Sequence, residues 1–244
     1  MRKLFKIVSV DMRRAIFSWR FTILLVIGLM LLYQPVFYLK KVADGYRNME
    51  LIDAIMCASG LGYYTSALAL LSGLVYSDSF AWEYMGGVFP YIVHREGRKQ
   101  YIVSKLITTA LSSGGLVCIC FIIFCVLQVL LFVPRMPSST EMILVLREAA
   151  LLLRYGMTWS LVGLAVSVIV PNPMLSMTAP FCMAQCLWLL SAVFNVPILN
   201  VNDSVFVLNG TGLTAPMIFV QEFGIAGIST IVFSVGIWKR SHGK

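Results

Sequence analysis

Residues 106–133 read LITTALSSGGLVCICFIIFCVLQVLLFV, a run that contains no charged side chain. About 20 apolar residues in a helix cross the roughly 30 Å hydrocarbon layer of a membrane. The run is long enough to span a bilayer, and it predicts a transmembrane helix. Small residues at 112–115 would bend this helix or let a neighbouring helix approach closely. Helical character can begin at Tyr101, so the first turns would stand outside the membrane.

The composition of the whole chain also indicates a membrane protein. Hydrophobic residues make up 59% and charged residues 12% of the 244 residues, whereas about 25% charged residues are usual in soluble domains. The mean hydropathy is +0.86. The net charge of +8 comes from basic residues beside apolar runs, a pattern that fits anionic lipid headgroups rather than nucleic acid.

Five further apolar segments are long enough to cross a bilayer. Together they predict an all-α integral membrane protein with six transmembrane helices, near 21–39, 59–77, 106–133, 149–170, 174–194 and 217–238. We expect a six-helix transmembrane domain over 21–244, preceded by a separate segment over 1–20. The outer stretch 195–216 alternates apolar residues with turn formers, which predicts short re-entrant pieces packed against protein.

The segment 1–20 has the pattern of an amphipathic helix that lies in the membrane interface. On a helical wheel, one face carries apolar residues and the opposite arc carries basic residues. The apolar face is Leu4, Phe5, Val8, Met12, Ala15 and Ile16, and the basic arc is Lys3, Lys6, Arg13 and Arg14. A disordered basic tail is the alternative interpretation.

Lysine and arginine mark the predicted cytosolic side. They cluster in the N-terminal segment, between the second and third spans and at the C-terminus. Positively charged loops stay in the cytosol, so both termini and the loop 80–105 are expected there. Lys40, Lys41 and Arg47 in the first outer loop depart mildly from this rule.

The loop 80–105, FAWEYMGGVFPYIVHREGRKQYIVSK, is too long and too apolar for a simple connection. Helices need only a few residues to connect them. Aromatic residues alternate here with Glu83, a Gly86-Gly87 pair and a basic run, and Pro90 must interrupt any helix through the loop. The loop therefore has the character of a docking surface for a cytosolic partner.

The order Phe80, Glu83, Tyr84, Gly87, then Arg98 and Ser104-Lys105 resembles the ABC-2 type permeases. That family carries F-x-x-E-x-x-x-G, a basic turn and a Ser/Gly-Lys pair in its first long cytosolic loop. Its plan of an interfacial helix, six spans and a re-entrant stretch before the last span is similar over nearly the whole chain.

The resemblance implies the membrane subunit of a bacterial ATP-binding cassette exporter in the plasma membrane. Two permease copies or paralogues would assemble with two cytosolic ATPase subunits, which would bind the ATP and Mg²⁺. The coupling element would be about 83–95, with Glu83 the foremost polar contact. The implied coupling residues are Phe80, Glu83, Tyr84, Gly87, Arg95 and Arg98. For Lys105, a topology signal held by anionic lipid is the preferred interpretation.

The chain lacks the motifs of an ATPase or a metalloprotease. No GxxxxGK[ST] and no HExxH occurs in it, so no cofactor, metal or catalytic residue is assigned. The six cysteines lack CxxC spacing and are expected to be apolar packing residues.

Arg154 and Glu222 are the charges that fall inside predicted spans. Ionisable residues at such positions are candidates for function. Each would lie about one turn below the outer surface, where the two would pair, closing an outer gate or binding substrate. Snorkelling of Arg154 to the headgroups is the alternative.

Other classes of membrane protein remain open from the sequence alone. An intramembrane enzyme would need catalytic residues clustered at one depth, and the chain offers only Arg154 with Glu222 and Asp78 with Glu83. An accessory or immunity protein without a pathway is the other alternative. For a permease, the apolar and aromatic spans favour a hydrophobic or amphipathic substrate, such as a peptide, a drug or a lipid.

Overall fold

The computed structural model describes residues 2–42, 62–131, 138–196 and 215–242. All regular structure in these ranges is helical, which confirms the all-α fold class. The helices are α1 (Arg2–Ile16), α2 (Trp19–Val42), α3 (Gly62–Tyr76), α4 (Ser79–Met85), α5 (Phe89–Glu96), α6 (Arg98–Leu131), α7 (Ser139–Ile169), α8 (Pro173–Phe194) and α9 (Ala215–His242). The predicted re-entrant stretch lies almost wholly outside the described residues.

The expected number of six spans is not reached in the described ranges. Four helices are long and apolar enough to cross a membrane, namely α6, α7, α8 and the part Met217–Ser241 of α9. Helices α1 and α2 form a pair bent by 57° that would count as a fifth span. The predicted span 59–77 corresponds to α3, whose 15 residues cover only about 22 Å. Residues 59–61 of the predicted span lie outside the described residues.

The helices α6 and α7 are longer than the membrane requires. As expected, α6 begins before the apolar run, and its 34 residues measure about 51 Å. Helix α7 begins at Ser139, ten residues before the predicted span, because a capping box forms there. Ser138 Oγ accepts a hydrogen bond from the Glu141 amide at 3.3 Å, and the Ser138 amide donates to Glu141 Oε2. Two of the orphan amide donors at the start of the helix are thereby satisfied.

Helices α6 and α7 cross at two glycines. A β-carbon on Gly114 would lie 2.6 Å from the carbonyl oxygen of Leu153, and one on Gly156 would lie 2.9 Å from the Cα of Gly114. Gly163 makes a similar close approach to Ser77 of the α3–α4 turn. The close approach predicted for the small residues at 112–115 is confirmed at Gly114. Such contacts let membrane helices pack backbone against backbone.

One end of the bundle collects α1, α4, α5, the start of α6 and the end of α9, and we call it the α4–α5 end. Arg20 near the start of α2 pairs with Asp78 just before α4 at 2.9 Å. Near the end of α9, Arg240 Nε donates to the Val168 carbonyl at the end of α7 at 2.9 Å. The start of α2 and the end of α9 therefore lie at the same end of the molecule.

Candidate functional site

The α4–α5 loop consists of two short helices joined by a tight turn. Helix α4 ends at Met85, and Gly87 follows with φ +69°, a conformation that glycine adopts without steric cost. Helix α5 carries Pro90 in its first turn, where a proline needs no amide hydrogen. The predicted interruption of the helix near Pro90 is confirmed. The segment 83–95, which was expected to be the coupling element, contains the end of α4, a tight turn and most of α5.

An aromatic cluster fixes the inner face of this loop to the bundle. Phe80 of α4 is fully buried, and its ring lies 5.3 Å from that of Phe89 in α5 and 6.1 Å from that of Phe233 in α9. Phe89 also contacts the ring of Tyr101 in α6 at 5.6 Å. Burying aromatic side chains is among the largest stabilising terms for so short a segment, so α4 and α5 are held on the ends of α6 and α9.

Buried charges join the loop to α6 and α1. Lys105 of α6 is 2% exposed, and its Nζ lies 2.6 Å from Glu83 Oε1 in α4 and 3.6 Å from Asp11 Oδ2 in α1. The hydroxyl of Tyr101 donates to the other Glu83 oxygen at 2.6 Å. The hydroxyl of Tyr76, at the end of α3, accepts from Lys105 at 3.4 Å. We call Asp11, Tyr76, Glu83, Tyr101 and Lys105 the polar network.

The polar network changes the expectation for two residues. The expected contact of Lys105 with anionic lipid is wrong, because its ammonium is buried among protein groups. Its part as a topology signal stays a prediction. Glu83 was expected to be the foremost polar contact with a partner. Its carboxylate instead faces Lys105 and Tyr101 within the chain, so in this structure Glu83 positions α4 on α6.

Asp11 was not identified from the sequence. It is 7% exposed and turns α1 towards Lys105, whereas Phe5 and Ile16, expected on the apolar face with Ala15, are exposed. One signal was available, since Asp11 is the sole acidic residue among the first 20. A single carboxylate in a segment of basic residues is expected to form an ion pair.

Two arginines connect the last helix to the loop. Arg240 of α9 lies 4.5 Å from the Tyr84 ring of α4 and also donates to the Ile169 carbonyl at 3.1 Å. Arg98, at the start of α6, donates to the Ser241 carbonyl at 3.2 Å and lies 5.6 Å from the Trp238 ring. Tyr84 and Arg98, both predicted site residues, therefore contribute to the contact between the loop and α9.

Arg95, another predicted site residue, is exposed and pairs with Glu96 at 3.2 Å.

The outer face of the loop exposes large apolar side chains. Trp82 is 54% exposed, Met85 61%, Val88 48% and Tyr91 77%. They surround the turn between α4 and α5, and Trp82 is held in place by its indole N–H, which donates to Asp78 at 2.9 Å. Tryptophan and tyrosine are enriched at the centres of protein interfaces. The structure therefore gives the loop one face fixed to the bundle and one face open for contact.

A second buried charge pair lies towards the opposite end. Arg154 of α7 and Glu222 of α9 form an ion pair, with 18% and 5% of their side chains exposed. The Arg154 guanidinium also lies 4.5 Å from the Phe219 ring, a cation–π contact. The structure brings together the two charges that the sequence analysis paired. Snorkelling of Arg154 without a partner does not describe this arrangement.

A scan against protein-family models and a search of curated proteins gave no match to this chain.

The Arg154–Glu222 pair is expected to couple α7 to α9 energetically. Removing one partner leaves the other charge buried and uncompensated. Arg154→Met and Glu222→Gln should each lower thermal stability in detergent by more than the double variant does. The coupling energy from a double-mutant cycle should be about 1–3 kcal/mol.

The matched control for this cycle is Arg147→Met, at an exposed position on the same helix. Its effect on stability should add to that of Glu222→Gln. Additive effects for Arg154 and Glu222 would contradict the pairing.

Proposed function

We propose that this chain is the membrane-spanning subunit of a transporter driven by a separate ATP-binding cassette ATPase that docks on the α4–α5 loop. The observation that carries the proposal is the two-sided loop. Its inner face is fixed by Phe80, Phe89 and Glu83, while its outer face exposes four large apolar side chains around the turn. A connection that served only to join α3 to α6 would need neither feature.

The polar network supplies a reason for coupling. A displacement of the loop would be transmitted to α6 through the Glu83–Lys105 ion pair and to α1 through the contact of Lys105 with Asp11. The same displacement would be transmitted to α9 through the contact of Tyr84 with Arg240, and to the end of α7 through the hydrogen bond of Arg240 to Val168. Packed and hydrogen-bonded groups transmit displacements because they have few alternative arrangements. Closure of an ATPase dimer under the loop would thereby move helices on both sides of the bundle.

The proposal places the α4–α5 end in the cytosol of a bacterial cell, as the positive-inside rule indicates. Both chain ends then lie on that side. Helix α3 acts as the second of six crossings, and a second copy or a paralogue completes the membrane part. The apolar surface favours a hydrophobic or amphipathic cargo, exported past the Arg154–Glu222 pair. ATP hydrolysis belongs to the partner, so the chain itself is a permease rather than an enzyme.

Loss of the exposed aromatics should remove the ATPase without unfolding the permease. We expect affinity-purified full-length chain from its native host to carry a subunit with a Walker A motif and vanadate-sensitive ATPase activity. Trp82→Ala with Tyr91→Ala should reduce the copurified activity at least tenfold, because aromatic anchors at the centre of an interface contribute about 2 kcal/mol or more each. The melting temperature of the variant should stay close to that of the parent chain.

The matched control replaces aromatics that are exposed elsewhere. Trp188→Ala with Phe194→Ala removes side chains on α8 that are 43% and 66% exposed, and it should leave the copurified activity unchanged. Two outcomes would overturn the proposal. One is the absence of any nucleotide-hydrolysing subunit from the parent complex. The other is equal loss in both double variants.

A further inference from the structure

A cleft of about 450 Å³ opens between α5, the start of α6 and the end of α9. Tyr84 and Phe89 form its apolar wall, and His94, Arg98 and Arg240 form its basic side. None of the described residues that line it is acidic. A cleft with charge of one sign and an aromatic wall concentrates anions.

Arg240 retains capacity for a ligand. Arg240 uses Nε and Nη2 to bind the Val168 and Ile169 carbonyls. A guanidinium has five N–H donors, so these two bonds occupy only part of the group. The planar fork of arginine matches the oxygen pairs of a phosphate.

The start of α6 adds a third feature of an anion site. Gly97 and Arg98 both line the cleft, and Gly97 has φ +89° just before the helix begins. The first amides of a helix have no intrahelical acceptor, and the macrodipole places partial positive charge there. Helix α6 runs for 34 residues, and phosphate groups bind at such helix starts.

An exposed apolar stripe on α9 leads to this cleft. Ile228, Ile231, Val235 and Trp238 follow one helix face and are each more than half exposed. Arg98 lies over the Trp238 ring, so the stripe ends beside the basic side of the cleft. Tryptophan is enriched where membrane helices meet the headgroup layer. A ligand with a phosphate and an adjoining apolar chain would contact both surfaces.

We infer that this cleft binds the headgroup of an anionic phospholipid, with the acyl chains along the stripe on α9. Basic pockets at the cytosolic ends of membrane helices have this chemistry. The bound lipid would bridge α5 to α9 beside the α4–α5 loop. The inference requires that α9 lie in the bilayer, and it does not depend on a partner ATPase.

The test measures binding of fluorescent phosphatidylglycerol to the delipidated full-length chain in neutral detergent micelles. Phosphatidylglycerol should bind saturably, and phosphatidylcholine should not compete. Arg98→Gln removes a positive charge and His94→Glu adds a negative one, so each should weaken binding about fivefold, since one charge near anionic lipid contributes about 1 kcal/mol. The matched control is Lys99→Gln, whose exposed side chain lies outside the cleft lining, and it should change affinity by less than about twofold.

Two further comparisons distinguish lipid binding at this cleft from general attraction to surface charge and from binding of a soluble anion. Equal weakening by Arg98→Gln, His94→Glu and Lys99→Gln would overturn the inference in favour of general surface charge. Displacement of the lipid by millimolar inorganic phosphate would overturn it in favour of a site for soluble phosphate. His94→Glu keeps the result interpretable if Arg98→Gln lowers the melting temperature, because no hydrogen bond of the His94 side chain is seen among the described residues.

Discussion

Replacing Lys105 with methionine is expected to destabilise the protein by about 3–5 kcal/mol, the usual cost of breaking a buried ion pair. The ammonium is 2% exposed and lies between Glu83 and Asp11. Its removal leaves Glu83 without its ion-pair partner and leaves Asp11 with only the exposed Arg14, 3.8 Å away. Reversible unfolding in mixed detergent and dodecyl sulfate micelles measures the change.

Two further variants make the Lys105 experiment decisive. Lys99→Met removes the same charge from an exposed position on the same helix and should change stability by less than about 0.5 kcal/mol. Adding Glu83→Gln to Lys105→Met removes one uncompensated carboxylate, and it should restore part of the loss. Equal stability of the Lys105 and Lys99 variants would contradict the burial of the ammonium.

Placing leucine at Gly114 is expected to disrupt the crossing of α6 and α7. A β-carbon there would lie 2.6 Å from the Leu153 carbonyl oxygen and 2.7 Å from Met157 Cγ. The first contact is with backbone, so no side-chain rotation relieves it and the helices must separate. The cost should exceed about 3 kcal/mol, the upper part of the range for overpacked cores. Loss of the monodisperse species in size-exclusion chromatography reports the failure.

The neighbouring glycine is the control for that variant. A β-carbon on Gly115 would find no atom within 4 Å in the described part of the chain. Gly115→Leu should therefore leave the protein folded, and a helix-interior glycine replaced by a helix former gains about 0.5–1 kcal/mol. If both leucine variants behave alike, the close crossing at Gly114 does not exist in the folded protein.

Some features of the α4–α5 loop were readable from sequence, and others were not. Pro90 and the Gly86-Gly87 pair have intrinsic backbone preferences, so they marked the break between α4 and α5 without help from the fold. The direction in which the Glu83 side chain points is not set by any local backbone preference. A carboxylate on a short amphipathic helix can face solvent or protein, and Lys105 becomes its partner only when α6 packs beside α4.

The boundaries of the spans show a related limit. Hydropathy reports where apolar side chains occur, so it located α6 and α8 closely. It does not report where a helix begins, so the predicted span for α7 started ten residues too late. The capping box at Ser138 and Glu141 was a legible signal for the start of α7, but it stands outside the apolar run that defined the predicted span.

The sequence by itself determined that the chain is helical and suited to a membrane, and that a long amphipathic loop precedes α6. Hydropathy, helix length and the preferences of glycine and proline act over a few neighbouring residues, so they are present in any single sequence. Only the tertiary structure decided that Lys105 is buried between Asp11 and Glu83, and that Arg98 and Arg240 meet at one cleft. These contacts join residues far apart in the chain, and they depend on which helices lie side by side.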